Sequence, residues 1–451
     1  MAVSTLAETR HVIDDAPMNP FLVKITAFSS GGSFLDGYVL SIIGVALGGM
    51  TASLNLSTND AALIGAASLA GIFFGALAGG RLTDTLGRRL MFILDLVAIG
   101  AVSLLCVFAQ NAWEMVTLRF LLGFFIGADY PIATSLITEF VPRRYRAIGM
   151  GVVSAAWYLG ATAAAVVGFC LYATPHGWQW MLGSSVVPCV ILLIGRHDIP
   201  ESPRWLAQRG YVEQARAVLT KVYGQPAELD DEPPAKLGFK QVFRRGYTSR
   251  VIYLGVLILC QVVPMYAMYT FGPRIMSAFG LGEGRMAILG STTVSLFFLI
   301  GSIPAMFWLN SMGRRPLLIG SLALMAVGLL IPGVAPEASI VVIIVAFAIY
   351  AFFSGGPGIL QWLYPNELFP TEVRATAVGV AIAISRIGVV VSTYALPLFL
   401  DRYGIGPTML IGCGLLVVAL IMSIVMAPET RGMTLSQAST LRTKRKESAD
   451  V

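Results

Sequence analysis

The sequence has little charge and few of the side chains from which catalytic and metal centres are built. Only 12% of its 451 residues are Asp, Glu, Lys or Arg, whereas soluble domains carry about a quarter. It holds 3 histidines and 5 cysteines, and no two cysteines form a CxxC metal spacing. No P-loop motif is visible either. These absences argue against a soluble globule and an enzyme, and we predict no cofactor.

Hydrophobic residues make up 56% of the chain and are gathered into long runs, which also contain all five cysteines. A helix needs about 20 apolar residues to cross the roughly 30 Å hydrocarbon core of a bilayer. The runs therefore predict an all-α polytopic membrane protein with twelve transmembrane helices. The predicted spans are 23–49, 60–80, 90–110, 114–138, 147–172, 178–197, 249–273, 286–311, 317–335, 339–364, 375–399 and 407–427.

One long polar loop divides these spans into two groups of six. Arginine and lysine are concentrated in this loop, in alternate short loops and in the C-terminal tail. Because basic residues collect on the cytoplasmic side, both termini are predicted to be cytoplasmic. The predicted parts are an N-terminal segment (1–22), a first six-helix bundle (23–197), a cytoplasmic central loop (198–248), a second six-helix bundle (249–427) and a tail (428–451).

The two halves share an internal repeat. Glu139–Gly151 (EFVPRRYRAIGMG) returns 228 residues later as Glu367–Gly379 (ELFPTEVRATAVG). Two further pairs of motifs recur at nearly the same offset: Leu86–Arg89 with Met312–Arg315, and Pro200–Ser202 with Pro428–Thr430. This pattern is typical of parallel six-helix repeats related by an axis along the membrane normal.

The motifs of the cytoplasmic loops resemble those of the major facilitator superfamily, and the resemblance covers the whole chain. Gly79–Arg89 is similar to the signature between spans two and three, and Arg119–Gly127 to that of span four. PESPRW, ELFPTEVRA and PETRG, after spans six, ten and twelve, are similar to motifs of the sugar-porter branch. The resemblance implies two six-helix bundles that expose a central cavity to each side in turn.

Other stretches depart from the sugar porters. Span seven reads Cys260–Pro264 (CQVVP) where hexose porters carry a Gln-Gln-x-Ser-Gly-x-Asn run. Span five offers Trp157 and Tyr158 where a Gln usually faces the sugar. Phe34–Tyr38 and Gly127–Pro131 instead resemble branches that move phosphate, aromatic acids or other organic ions.

Ionisable side chains at membrane depth are candidates for proton coupling, because a charge there costs several kcal/mol without a cavity or partner. At 1.5 Å per residue, Asp36 lies about 18 Å from the cytoplasmic end of span one, and Asp129 about 15–24 Å from either face. Asp36 follows Ser29–Ser33, a run of small residues that is expected to loosen the helix. Asp36 and Asp129 are both predicted proton carriers, and the alternative is a structural, hydrogen-bonded carboxylate. For Arg119 the resemblance implies proton coupling or helix packing. We expect no direct contact with Asp129, about 15 Å along the same helix.

Arg386 lies about 15–18 Å into span eleven. Its fork of donors could bind a substrate carboxylate or phosphate, or it could be the permanent partner of Asp36 or Asp129. Asp95 is interpreted as a structural residue near the cytoplasm, close enough to pair with loop arginines. The remaining candidate substrate-binding residues are Gln261, Gln361, Trp157, Tyr158, Tyr269 and Trp362.

A cytoplasmic gate is predicted from matched acidic and basic residues in the repeated loops, which are expected to pair across the halves when that side is closed. Only a network of such pairs could bias the equilibrium, because an isolated exposed pair contributes about 0–1 kcal/mol. The predicted gate residues are Asp84, Arg88, Arg89, Glu139, Arg146, Arg314, Arg315, Glu367 and Arg374.

We therefore predict a secondary active transporter in the cell (plasma or inner) membrane. It moves a small polar or anionic metabolite by alternating access, most simply by proton-coupled uptake. Its predicted partners are the substrate, protons and the lipid bilayer, with no nucleic acid, and it is expected to be a monomer. The alternatives are a sugar:proton symporter, an exporter of drugs or metabolites, an uncoupled facilitator and a transporter-like sensor.

Overall fold

The computed structural model describes residues 16–223, 247–282, 284–369 and 371–431. Within some helices the side chains are not described, and these belong to residues 80, 81, 84, 130–139, 143, 144, 146, 147, 150, 204, 208, 310, 366 and 371–376. All regular structure in the described ranges is helical, which confirms the predicted all-α class.

The first half contains six helical spans, the last of them in two pieces. The helices are α1 (Pro20–Leu54), α2 (Thr58–Leu86), α3 (Arg88–Cys106), α4 (Ala112–Phe140), α5 (Arg143–Leu171), α6 (Gly177–Gly183) and α7 (Val186–Arg196). Two short helices follow in the central loop: α8 (Pro203–Gln208) and α9 (Val212–Tyr223). The rest of the predicted loop, 224–246, lies outside the described residues.

The second half repeats this arrangement, with its tenth span in two pieces that meet at Ser354. The helices are α10 (Thr248–Met276), α11 (Arg285–Ser311), α12 (Arg314–Val334), α13 (Ile340–Phe353), α14 (Gly355–Leu368), α15 (Thr371–Tyr403) and α16 (Ile405–Met426). A π-helical segment, Ser277–Leu281, extends α10 beyond a kink at Phe271.

The spans are long and apolar enough for a bilayer. In the described parts of the chain, 11 helices meet that requirement by length and composition. The remaining long helix, α4, has 29 residues, and the side chains of 130–139 within it are not described. Many large apolar side chains on the outer surface are exposed, for example Phe108, Phe307 and Val425. Such a surface fits a lipid solvent rather than water.

Helix α1 runs unbroken through Ser29–Ser33, a stretch that the sequence suggested would loosen the helix. That expectation is wrong, because backbone groups freed inside a bilayer would lack water to bond. The glycines instead permit close packing. A Cβ on Gly37 would lie 2.0 Å from the carbonyl oxygen of Trp157, and one on Gly32 would lie 2.0 Å from Oδ2 of Asp129.

Helices of the two halves face each other around the centre of the molecule. Within the halves, α1 packs on α5 and α2 on α4, while α10 packs on α15. Across the halves, α2 packs on α15, α5 on α11 and α1 on α10. The interior surfaces of α1, α5 and α10 therefore meet at the interface, and α5 and α10 carry four of the predicted substrate-binding residues: Trp157, Tyr158, Gln261 and Tyr269.

Candidate functional site

A buried charge cluster joins four helices of the first half. Nη1 of Arg196, at the end of α7, lies 3.6 Å from Oδ1 of Asp129 on α4 and 3.9 Å from Oδ1 of Asp95 on α3. The three side chains are 0–4% exposed. Arg196 also donates to the carbonyl oxygens of Phe28 on α1 and Phe92 on α3, and its guanidinium lies 3.4 Å from the ring centroid of Phe92.

The cluster corrects one interpretation of the sequence and adds one residue that the sequence did not reveal. Asp95 was expected to pair with loop arginines, yet its partner is Arg196, which belongs to span six and is fully buried. Arg196 itself was not recognised as a candidate. In the sequence it stands at the cytoplasmic end of an apolar run, where arginine is common for topological reasons. Its direction into the bundle is visible only in the structure.

Asp36 and Arg119 are also buried, each with 1% exposure. Nη1 of Arg119, on α4, donates to the carbonyl oxygen of Val39 on α1 at 3.0 Å. Arg119 therefore links α4 to the helix that carries Asp36. The proton-coupling roles of Asp36, Asp129 and Arg119 remain predictions.

An aromatic cluster lies where the two halves meet. The ring of Trp157 on α5 contacts Tyr158 on the same helix and both Tyr266 and Tyr269 on α10, with centroid distances of 5.6, 6.0 and 5.1 Å. Phe298 on α11 contacts Tyr158 and Tyr269 in turn. This cluster brings together three of the predicted substrate-binding residues, Trp157, Tyr158 and Tyr269.

Several polar groups beside this aromatic cluster are buried without a hydrogen-bond partner among the described residues. They are the hydroxyls of Tyr269 and Tyr350 and Oε1 of Gln261. The other end of the Gln261 amide donates to Oγ of Ser354 at 3.5 Å. An orphaned amide or hydroxyl in an apolar interior is costly. These groups can therefore donate to or accept from a polar ligand.

Arg386 on α15 lies at the edge of the aromatic cluster. Its Nη1 donates to the hydroxyl of Tyr266 at 3.0 Å, and its guanidinium lies 5.7 Å from that ring. The other two candidates are on α14: Nε2 of Gln361 donates to the carbonyl oxygen of Gly358 at 3.1 Å, and Trp362 is half-buried. The substrate-binding roles of all seven residues remain predictions.

At the cytoplasmic end of the first half, Glu201 caps helix α3. Its carboxylate accepts from the backbone N–H groups of Arg88 and Arg89, at 2.9 and 3.1 Å. The side chains of these arginines contact Ser202 and the carbonyl oxygen of His197. A carboxylate at a helix N-terminus satisfies free N–H groups and interacts favourably with the helix dipole.

The second half repeats this capping contact. Glu429 accepts from the backbone N–H groups of Arg314 and Arg315, both at 3.0 Å. The residue before each arginine pair is a glycine with φ near +98°, namely Gly87 and Gly313. Its positive φ favours glycine, and a Cβ would lie 2.6 or 2.8 Å from the capping carboxylate. The sequence marked Glu201 and Glu429 as part of a repeat but not as capping residues.

The predicted gate residues whose side chains are described make contacts inside their own halves. Arg314 pairs with Glu367 at 2.9 Å, and Glu367 also accepts from Thr430. Arg315 donates to the carbonyl oxygen of Ile424. The side chains of Asp84, Glu139, Arg146 and Arg374 lie outside the described part of the structure. Pairing across the halves stays a prediction.

Direct polar contacts between the halves occur at the opposite end of the molecule. Oγ1 of Thr58 donates to Oδ2 of Asp401 at 2.9 Å, and the hydroxyl of Tyr394 donates to Oδ1 of Asn59 at 2.7 Å. Asp401 also pairs with Arg274 at 2.6 Å. Because this end is opposite the arginine-rich loops, it corresponds to the predicted extracellular side, which is held closed.

Comparison with known proteins gives consistent matches. The profile of the family described as "Sugar (and other) transporter" matches residues 24–441. A protein of Escherichia coli (strain K12) named for metabolite transport, YaaU, is 50% identical over 428 residues, covering 95% of this chain and 97% of YaaU. The inner membrane metabolite transport protein YgcS of the same strain is 31% identical over 442 residues, covering 97% and 98%.

A solved structure gives the same picture of the fold. The xylose transporter XylE from E. coli, in a partially occluded inward open conformation, aligns with a TM-score of 0.78 and 22% identity. The alignment covers 92% of this chain and 100% of XylE. At this level of identity the similarity establishes the major facilitator fold, and it leaves the cargo to be argued from the side chains.

Proposed function

The chain belongs to the family of sugar and other transporters, and we propose that it takes up a small polar or anionic metabolite together with protons. Its helices make it a multi-pass protein of the cytoplasmic membrane. In this proposal an ion gradient is the only energy source, no cofactor takes part and no chemical reaction is catalysed. In this proposal the working unit is one chain, because each chain holds both six-helix bundles.

The observation that carries the proposal is the set of unpaired polar groups beside the aromatic cluster. Gln261 and Tyr269 belong to α10, Tyr350 to α13, and Trp157 reaches them from the other half. A ligand bound here contacts both halves, so its release is coupled to their separation. Aromatic walls with a few directed polar groups are typical of small-molecule sites.

Arg386 favours an anionic group on the substrate. It is half-buried in span eleven and already donates to Tyr266, which holds one side of its planar fork. The guanidinium can bind a carboxylate or phosphate through two parallel hydrogen bonds. A substrate with a carboxylate at one end and hydroxyl groups at the other would use both Arg386 and Oε1 of Gln261.

A neutral sugar is the second candidate. A sugar is favoured because the polar groups beside the aromatic cluster are neutral donors and acceptors. These groups are Oε1 of Gln261 and the hydroxyls of Tyr269 and Tyr350. Structures of the relative XylE describe it as a proton:xylose symporter. The absence from span seven of the residues that hexose porters use is the argument against it.

Proton coupling is assigned to the buried carboxyls of the first half. Asp36 and Asp129 are 1% and 3% exposed, and ionisable residues buried within membrane spans commonly mark proton pathways. A carboxyl that takes up a proton on one side and loses it on the other couples the gradient to the cycle.

The test begins with the thermal stability of the purified protein in a panel of monosaccharides, hydroxy acids, aromatic acids and phosphate esters. A ligand that binds only the folded state raises the unfolding temperature. The ligand that does so is then radiolabelled and offered to proteoliposomes with an imposed pH gradient. Accumulation driven by external acid supports the proposal.

Two variants and one control complete the experiment. Asp36→Asn and Asp129→Asn should each abolish accumulation, while exchange of internal for external substrate without a gradient continues. Glu213→Asn is the control, because Glu213 is an exposed carboxylate on α9. Wild-type accumulation by both Asp variants would refute the carrier assignment. Accumulation that ignores the pH gradient would refute proton coupling altogether.

A further inference from the structure

We propose that Asp95 and Asp129 form a carboxyl pair that shares one proton, with Arg196 as its fixed counter-charge. This inference rests on the proposed function for its role in transport, but it concerns a site that can be tested without transport. It adds Asp95 and Arg196 to the proton pathway and gives Asp129 a partner.

The geometry brings two acids to one base. Oδ1 of each aspartate lies within 3.9 Å of the same atom, Nη1 of Arg196. Because both carboxyl groups contact one arginine atom, they are neighbours, and a proton on one of them can be donated to the other. Two carboxylates, by contrast, have only acceptors to offer at that contact.

Charge balance decides how many protons the pair holds. With both aspartates ionised, the cluster has a net charge of −1 in a region that is almost free of water. With one proton it is neutral. Isolated charge in a low-dielectric interior is strongly disfavoured, and two like charges at this distance add to the penalty. The singly protonated pair is therefore the stable form, and the proton belongs to both residues.

Among the described residues, the groups that contact Arg196 or interact with it do not change this balance. The side chain that interacts electrostatically with both Asp95 and Arg196 from α7 is the thiol of Cys189, which is neutral. Helix α1 contributes the carbonyl oxygen of Phe28, and α3 contributes that of Phe92. These carbonyls hold two of the arginine's donors in place and carry no net charge.

The hydrogen bonds of the cluster are incomplete. Oδ2 of Asp95, Oδ1 of Asp129 and Nη2 of Arg196 are buried and have no hydrogen-bond partner among the described residues. A fully satisfied structural network would leave few such atoms. Helix α1 closes over the cluster at Gly32, where a Cβ would lie 2.0 Å from Asp129 and 2.8 Å from Nη2 of Arg196. Movement of α1 therefore opens a way to the pair.

The experiment counts protonated carboxyl groups by infrared spectroscopy of the purified full-length protein at pH 7. The band of interest is the C=O stretch of a buried carboxylic acid, scaled to the amide band. Asp95→Asn and Asp129→Asn should each remove the same band. With a single aspartate left, its carboxylate and the Arg196 guanidinium balance each other's charge, so no protonated carboxyl group remains. The double variant should lose no more than either single variant. Arg196→Met should about double the band, because each carboxyl then keeps its own proton.

Two results would overturn the proposal. If both single variants keep the wild-type band, the pair carries no proton. If the double variant loses twice the intensity of a single variant, two independent protonated acids are present. Arg196→Met is an additional test, and if that variant fails to fold the three Asp variants still decide.

The infrared result and the uptake result are separable. If the infrared bands are as expected but uptake is not driven by the pH gradient, the carboxyl pair is supported and proton coupling is refuted. If uptake is driven by the pH gradient but the band is unchanged in Asp95→Asn, the carboxyl pair is refuted and the proposed function is supported. A Glu213→Gln protein serves as the comparison, since Glu213 is an exposed carboxylate and its change should leave the buried-acid band untouched.

Discussion

Thr58 and Asp401 join the two halves of the molecule at the end opposite the arginine-rich loops. Thr58 is the first residue of helix α2. Its Oγ1 donates to Oδ2 of Asp401, near the end of α15, at 2.9 Å. Asp401 is held for this contact by Arg274, which belongs to its own half. The hydrogen bond therefore forms and breaks as one half moves against the other.

Thr58→Val should weaken this closure. The change removes the interhalf hydrogen bond and leaves the Arg274–Asp401 pair intact. An exposed hydrogen bond to a charged acceptor contributes about 0.5–1 kcal/mol, so the outward-open population should rise about two- to fivefold. Spin labels at Ala52 and Tyr403, at the same end of α1 and α15, would report a larger fraction of long distances.

Thr117→Val is the matched control, because among the described residues the hydroxyl of Thr117 bonds within its own helix, to the carbonyl oxygen of Trp113. A distance distribution that is the same in Thr58→Val and in the wild type would show that the contact does not hold the outer side closed.

The architecture could be predicted from the sequence, because the signals that carry it are repetitive. Each apolar run has the length of a membrane span, and the arginines of alternate loops set the orientation. The offset repeats gave the division into two halves. The expectation for α1 failed, since a local run of small residues does not show which helix packs against it.

The site was only partly predictable, because a sequence gives depth in the membrane but not the direction of a side chain. The sequence placed Asp95 near the cytoplasmic end of span three and Asp129 deep in span four, and only the packing of α3, α4 and α7 shows that both lie beside Arg196. Arg196 itself resembled an ordinary arginine at a span end. The aromatic residues were found because Trp157, Tyr158 and Tyr269 stand at mid-span, where such groups can line a cavity.

Protonation of Glu429 should make the protein less stable in acid. Burial raises the pKa of its carboxyl, but hydrogen bonds from four backbone N–H groups outweigh burial and hold the pKa below its ordinary value of 4.5. A lowered pKa in the folded state means that the contact stabilises the fold above about pH 4.5. That contribution is lost as the pH falls through the lower, folded-state value.

The measurement compares wild type and Glu429→Gln by thermal unfolding in detergent between pH 7 and pH 3.5. The variant should be less stable at pH 7 by about 0.5–2 kcal/mol, the usual contribution of a helix cap. The difference should shrink below pH 4.5. Glu213→Gln, at an exposed position, is the control, and a difference that is constant with pH would contradict the role of the charge.

Arg386 should select for anionic substrates. Arg386→Gln is expected to weaken the binding of a carboxylate-bearing ligand by about 10- to 100-fold, since hydrogen bonds to charged groups contribute about 1.5–3 kcal/mol. The affinity of Arg386→Lys should lie between those of the wild type and Arg386→Gln, because lysine keeps the charge but lacks the planar fork of donors. Isothermal titration with the ligand identified by thermal stability would measure both changes.

Tyr266→Phe helps to separate binding from structure. It removes the hydroxyl to which Arg386 donates, so it should lower affinity less than Arg386→Gln does. Arg285→Gln is the surface control, because Arg285 is exposed at the start of α11. If Arg386→Gln weakens the binding of an anionic ligand and of a neutral analogue of the same shape equally, Arg386 has a packing role instead.

Gly44 should be required for the closed outer side. It lies on α1 where that helix meets α10 of the other half, and a Cβ there would stand 2.2 Å from the carbonyl oxygen of Tyr269 and 3.1 Å from that of Thr270. Backbone cannot retreat as a flexible side chain can, so Gly44→Ala must push the two halves apart at this level. The outward-open state, in which they are already apart, carries no such penalty.

Gly44→Ala should therefore raise the long-distance population between labels at Ala52 and Tyr403 more than Thr58→Val does, since a steric clash of this kind costs about 1–3 kcal/mol. Gly48→Ala is the matched control: it lies one turn further along the same helix, and a Cβ there meets nothing within 4 Å. Both changes remove a helical glycine, so their effects on helix propensity are alike and cancel in the comparison. If the two variants give the same distances and the same uptake, the close approach of α1 to α10 does not control the outer opening.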